Sequence, residues 1–253
     1  MNNPILLLYP LINVVVTALF AAVVLRQYFQ RHRPYQLFWS IALLMTFLAT
    51  LAYVLMIVVQ PTSSAGIAFF RIYYIFGASL VPAWLGLGSI ALVTGTRVTR
   101  ICLVVLSFLS ILTIVLVALA SIDMHALSQV EGTAGGGILR PGAWLVMLIL
   151  LNSLGTLAIA GVAIYSGVQL LRRQGSSNLL WGNVCILAGV LIIAYAGTNV
   201  RLLGGENTFW LIMASGWIVF FVGVLLASRP RTRAVTTKSA EAQGRMVNEG
   251  GRI

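Results

Sequence analysis

Seven uninterrupted apolar runs organise this chain, and each is long enough to cross a lipid bilayer. They cover Ile5 to Leu25, Leu37 to Val59, Ile67 to Val93, Ile101 to Ile122, Ala143 to Leu171, Leu179 to Leu202 and Phe209 to Ala227. A run of roughly 18 or more apolar residues spans a hydrocarbon core of about 30 Å. No water is available there, so every backbone N–H and C=O must be satisfied inside its own segment, which makes the runs helices. The alternating pattern of barrel strands is missing. Of the 253 residues, 60% are hydrophobic and only 8% charged, against about 25% charged in an ordinary soluble domain. The expected fold is all-α: a polytopic bundle of seven transmembrane helices over residues 1–227, followed by a disordered basic tail over 228–253.

The formal charge of +11 raises the possibility of a nucleic-acid partner, which needs the charges gathered on one exposed face. Instead they are sorted by loop. Arg26, Arg31 and Arg33 follow the first span, Arg97 and Arg100 the third, and Arg172 and Arg173 the fifth. Arg229, Arg231, Arg233, Lys238, Arg245 and Arg252 follow the last. Only Arg71, Arg140 and Arg201 are left for the opposite side. Cytoplasmic loops carry the basic excess, so the N-terminus is expected outside and the C-terminus in the cytoplasm. Topology and anionic headgroups account for the charge, membrane lipids are the expected partners, and nucleic acid is not.

The first run has no basic segment before it, so it is expected to remain as a helix and not to be a cleaved signal. Cys102 and Cys185 fall within spans, toward the cytoplasmic half, where small buried hydrophobes are expected and disulfides are not. The connections are short, which places any function in the bundle itself. The loop from Asp123 to Gly142, with Gly132, Gly135, Gly136, Gly137 and Pro141, has the composition of flexible coil. The tail is too short for a kinase or cyclase domain, and its arginines Arg229, Arg231 and Arg233 suit anionic headgroups at about 1 kcal/mol each. No internal repeat is visible, and an odd number of spans does not suit a simple duplicated transporter.

Several chemistries are excluded by what the spans lack. The acidic residues Asp123, Glu131, Glu206, Glu241 and Glu249 all fall outside them, whereas proton-coupled machines hold titratable groups at membrane depth. The single lysine, Lys238, lies in the tail, so no span offers an amine for a retinal Schiff base. Hydroxyls within the membrane have no His, Asp or Glu to activate them, so no catalytic residue is expected. Asp123, His125 and Glu131 are too few and too exposed for a metal site, and neither metal nor cofactor is expected.

The remaining polar groups gather toward one end. Arg71 opens the third span, Asn199 and Arg201 close the sixth, and Glu206 follows, with Tyr73, Tyr74 and Tyr195 nearby in sequence. An arginine at a helix end snorkels, pairs, or lines a site. The sharper expectation is an outward-facing pocket in which Arg71, Asn199 and Arg201 hold an anionic or polar headgroup, with Tyr74, Trp84 and Glu206 as further ligand-binding candidates. Pro82 removes a backbone donor in mid-span and is expected to kink the helix beside Trp84, Gly86 and Gly88. Small residues at Ala42, Thr46, Thr50, Ala163 and Gly167 suit close helix packing. Asn13, Asn152 and Asn183 are expected to bond across helix interfaces for about 0.6–2 kcal/mol each. Trp39, Trp144, Trp181 and Trp210 read as interfacial belt residues, with Trp84 and Trp217 deeper.

From Arg31 to Gly95 the chain combines a basic loop, Leu37-Phe38-Trp39 opening a helix, Arg71-Ile72-Tyr73-Tyr74, Gly77 and Pro82-Ala83-Trp84. This stretch resembles the seven-helix N-terminal sensory region of some bacterial histidine kinases, and uncharacterised bacterial integral membrane proteins of similar length. In those kinases the region precedes cytoplasmic signalling domains, whereas only a short tail follows here. The resemblance implies a bacterial plasma-membrane sensor for a small apolar or lipid-like ligand, acting through a separate signalling or transport partner. A carrier, a permeation component or a structural accessory subunit is the alternative expectation.

Overall fold

A computed structural model describes residues 5–130, 137–172, 177–203 and 208–228, with side chains placed for 7–130, 137–172, 177–200 and 208–228. Among these residues helix dominates and no strand forms; one isolated antiparallel bridge joins Ile122 and Leu139. The helices are α1 (Ile5–Arg31), α2 (Pro34–Val58), α3 (Ser64–Tyr73), α4 (Val81–Val93), α5 (Thr96–Leu119), α6 (Met124–Ser128), α7 (Ala143–Arg172), α8 (Ser177–Leu203) and α9 (Phe209–Ser228). A π-helical segment, Tyr74–Leu80, joins α3 to α4, so Ser64–Val93 runs as one span. Seven helices are therefore long and apolar enough to cross a membrane. The tail from 229 lies outside the described residues.

Local chemistry sets the breaks. His32 (φ 49°) turns the chain out of α1, and Pro34 opens α2 in the first turn, where its missing N–H costs nothing. Gln60 (φ 70°) ends α2, and Ser63 caps α3 by accepting from Gly66 N at 3.0 Å. Gly66 lies against the Gln60 and Pro61 carbonyls, where a Cβ would collide with backbone.

Six of the spans close a ring. α1 packs on α2, α2 on the third span, α4 on α7, α7 on α8, α8 on α9, and α9 back on α1. The interior is filled by Phe20, Val24, Leu43, Leu85, Trp217 and Phe220, all at most 4% exposed. Outside the ring stands α5, the most apolar span, against the π segment, α4 and α7. Its outward face, with Val104, Phe108, Ile111 and Leu119, is exposed, as suits a helix surface solvated by lipid.

Glycine sets the closest approaches. Gly182 and Gly189 of α8 meet Gly216 and Gly223 of α9 on facing stripes, each pair two helical turns apart. A Cβ on Gly189 would lie 2.6 Å from Phe220 N, and one on Gly223 2.7 Å from Ile186 N. Across the ring, Gly86 and Gly155 bring α4 and α7 together, with the Pro82 carbonyl directly over Gly155. Small residues in membranes allow this backbone-to-backbone packing. Ala163 is buried as expected, but Gly167 faces open space and contributes no seam.

Pro82 changes the helix type. Val81 N–H reaches back five residues to Phe76 O, the π pattern, and Pro82 has no N–H to offer. The carbonyl four residues before it, Ala78 O, accepts instead from Asn152 Nδ2 of α7 at 2.7 Å. Ser79 Oγ donates to Tyr74 O at 3.1 Å within the same segment. Asn152 thus supplies from a neighbouring helix the donor the proline removes, a role neighbours often take around broken membrane helices.

Candidate functional site at the aromatic end

The two ends of the bundle differ in kind. Arg26, Arg31, Arg33, Arg97, Arg100 and Arg172 surround one end, all exposed. At the other end lies a buried set of large rings, contributed by five elements. Tyr53 comes from the last turns of α2, Tyr73 and Tyr74 from the junction of α3 with the π segment, Trp144 from the start of α7 and Trp210 from the start of α9. Each is at most 7% exposed. Ring centroids lie 4.7 Å apart for Tyr53 and Trp210, 5.4 Å for Tyr53 and Tyr73, and 6.2 Å for Tyr73 and Trp210. Tyr74 meets Trp144 edge to face at 5.3 Å. Such pairs add about 0.5–1.5 kcal/mol each beyond area burial.

Asn13 of α1 ties the ring set to the bundle. Its Nδ2 donates to Trp210 O at 2.8 Å and to Tyr9 O at 3.1 Å. Its Oδ1 is buried and has no hydrogen-bond partner among the described residues. One helical turn on, Thr17 Oγ1 donates to Asn13 O at 2.6 Å. Asn199, 8% exposed, approaches Thr208 Oγ1 at 3.5 Å at the turn into α9.

A cap closes this end. The connection after α5 is not the open coil its composition suggests. Ile122 bridges Leu139, Asp123 N donates to Ile138 O at 2.8 Å, and Arg140 N donates to Ser121 O at 3.1 Å. Leu127, Ile138 and Leu139 are then driven into the same cluster as Phe70, Tyr74 and Trp144. Asp123 caps α6: its Oδ1 accepts from His125 N and Ala126 N at 2.9 and 3.1 Å. Those backbone donors, Ala126 foremost, hold its carboxyl below the ordinary value of 3.8. Among the described residues, three buried apolar side chains and one antiparallel bridge order this connection. Residues 131–136, including Glu131, Gly132, Gly135 and Gly136, lie outside the described residues.

The residues expected to form one pocket are distributed. Arg71 donates from both terminal nitrogens, to Val117 O and Ala120 O at 3.4 Å each, and so serves carbonyls at the C-terminal end of α5. Trp84 turns the same way, donating to Ser110 Oγ of α5 at 3.2 Å. These two fasten α5 to the ring, while Asn199 faces the start of α9. Tyr74 does belong to the ring set, whereas Tyr195 is exposed. The side chains of Arg201 and Glu206 lie outside the described residues. Among the described residues no three His, Cys, Asp or Glu gather as metal ligands, and Cys102 and Cys185 are unbridged and half-buried.

Tyr53, Trp210 and Asn13 were not among the expected site residues. The tryptophans misled for a physical reason. Trp39, Trp144 and Trp210 sit near span ends, as belt residues do, yet all three are buried. The indole N–H of Trp39 donates to Leu85 O, and that of Trp144 to Arg140 O, so neither needs the lipid–water interface. Trp181, 59% exposed, fits the belt. Asn13 and Asn152 cross helix interfaces as expected, but Asn183 donates to Leu179 O of its own helix. No family model, curated protein or solved structure matches the chain.

Proposed function

We propose that this is a sensor-like membrane module. It binds a small apolar or lipid-like ligand at the aromatic end and passes the change to a separate partner protein. In this reading the N-terminus and the aromatic end face outward, the basic end and C-terminus are cytoplasmic, and the host is a bacterial plasma membrane. The sorting of arginines supports that orientation, and the likeness of Arg31 to Gly95 to kinase sensory regions supports the sensor role.

The π segment carries the reading. π-helical stretches are rare and concentrate at functional sites, and this one begins at the ring set, with Tyr73 and Tyr74 at its first turn. It ends at Leu80, two residues before Pro82, where α4 is pinned against Gly155 of α7. A shift of the rings is thereby connected to the span that runs to the basic end. The filled ring interior speaks against a permeation path, and the bundle reads as a binding module and not an enzyme.

The test is melting temperature and hydrogen exchange of the detergent-purified protein against a panel of small aromatics and single-chain lipids. At least one class should raise the melting temperature and alter exchange in Tyr74–Leu80, and Tyr53→Ala should abolish the response. The reading fails if no compound shifts the wild type, or if Tyr53→Ala responds equally. Arg71→Ala should retain the ligand response, because its guanidinium holds α5.

A further inference from the structure

We infer that the ligand recognised at the aromatic end is an aromatic molecule bearing one O–H or N–H donor, and that Asn13 Oδ1 accepts its hydrogen bond. This rests on the binding reading above and names the chemistry of the same site. Both hydrogens of the Asn13 amide are committed, to Tyr9 O and Trp210 O. Turning the amide over would set its oxygen against those two carbonyls, so the orientation is fixed. Oδ1 is left as a buried acceptor without a donor, in a side chain only 1% exposed. Native interiors rarely leave such an atom unserved. Gln36 Oε1 is likewise buried and unpartnered among the described residues, but it lies at the basic end, one turn from Arg33, away from the ring set.

The surroundings specify the rest of the molecule. The backbone of Trp210 takes one Asn13 hydrogen, and its ring stands in the triangle with Tyr53 and Tyr73. A flat π system suits that setting by offset or edge contact. Arg71, the one charge on the third span, is engaged by α5, so it is not aimed at this site. The rings pack on one another, so a ligand enters by displacing one. Tyr73, which stands where α3 meets the π segment, is the ring assigned to move.

The test compares indole with 1-methylindole, and 2-naphthol with 2-methoxynaphthalene, by calorimetric titration and melting temperature of the detergent-purified chain. Each pair keeps the ring and removes the donor. Loss of one hydrogen bond to a buried acceptor should weaken binding about tenfold. Non-specific uptake into detergent gives the opposite order, because methylation adds apolar area. Asn13→Ala and Asn13→Leu should bind the members of each pair alike. If the wild type binds both members equally while still binding them, the donor is a resident water and the inference falls with the sensor reading intact. If neither member of either pair binds, both fall. Should the variants not fold, the wild-type pairs alone decide. Discrimination that survives in Asn13→Ala also overturns the assignment.

Discussion

The two halves of this bundle are held together by opposite means. Toward the basic end and the middle, helices touch backbone to backbone through Gly182, Gly189, Gly216 and Gly223 in one seam and Gly86 and Gly155 in another. At the aromatic end the same helices are held apart by tyrosine and tryptophan rings and joined by the Asn13 amide. Backbone contacts have no rotamers, so the first kind of packing has a single solution. Rings can turn, so the second kind admits alternatives at modest cost. Where a membrane protein must stay fixed and where it can respond are thus separated along the helix axis.

The largest effect should come from breaking the rigid half. Gly189→Leu sets a branched side chain where a Cβ alone would lie 2.6–2.8 Å from Phe220 backbone and side-chain atoms. The backbone behind it cannot yield without parting α8 from α9. Overpacking of this kind costs roughly 3 kcal/mol, and thermal denaturation in detergent should show it. Gly197→Ala is the control on the same helix. Its Cβ would meet nothing within 4 Å, and alanine should add about 0.5–1 kcal/mol of helix stability. Equal losses for the two would mean that glycine count, and not the seam, sets the stability of this half.

A smaller loss should follow at the boundary between the halves. Asn152→Leu removes the donor from Ala78 O while filling a similar volume, leaving the carbonyl that Pro82 cannot serve without its bond. A buried acceptor left unpaired costs about 1–3 kcal/mol. The telling readout is local: hydrogen exchange should rise in Tyr74–Leu80 and stay unchanged in α8 and α9. The double variant Asn152→Leu with Pro82→Ala should regain much of the loss, because alanine restores an N–H four residues on from Ala78. Without that recovery, the amide does not stand in for the proline's missing donor.

How legible each half was in the sequence follows from the same physics. Span number, span ends and the arginine sorting depend on one-dimensional solvation, and they can be read from runs of residues. Pro82 signalled a backbone disturbance, but the type of disturbance depends on Asn152, 70 positions later in the chain. The glycine seam of α8 and α9 repeats at two-turn intervals and was available to a periodicity search. The ring set was not, because Tyr53, Tyr73, Trp144 and Trp210 come from four spans whose neighbours are set by the ring closure. Arg71 and Trp84 looked like pocket residues because intramembrane polar groups need partners. The partners turned out to be carbonyls and a serine of α5, a helix whose position outside the ring has no signature beyond its high apolarity.

The smallest expected effect concerns the cap, and it tests whether the adaptable half is one unit or two. Ala126 and His125 donate to the Asp123 carboxylate and hold its pKa below 3.8 in the folded chain. A group with a depressed folded pKa contributes stability above its unfolded value, and the contribution is lost as pH falls through the folded value. The stabilisation is therefore complete at neutral pH and disappears only on acidification below about 3.8. Asp123→Ala removes it at every pH. Because the carboxylate is solvent-exposed, the change should be confined to faster amide exchange at His125 and Ala126, with the overall melting temperature unmoved. Leu127, Ile138 and Leu139 keep the cap docked through apolar burial that the carboxylate does not govern. If Asp123→Ala instead speeds exchange at Tyr73 and Tyr74, the cap and the rings open as a single unit, and access to the aromatic end is controlled from α6.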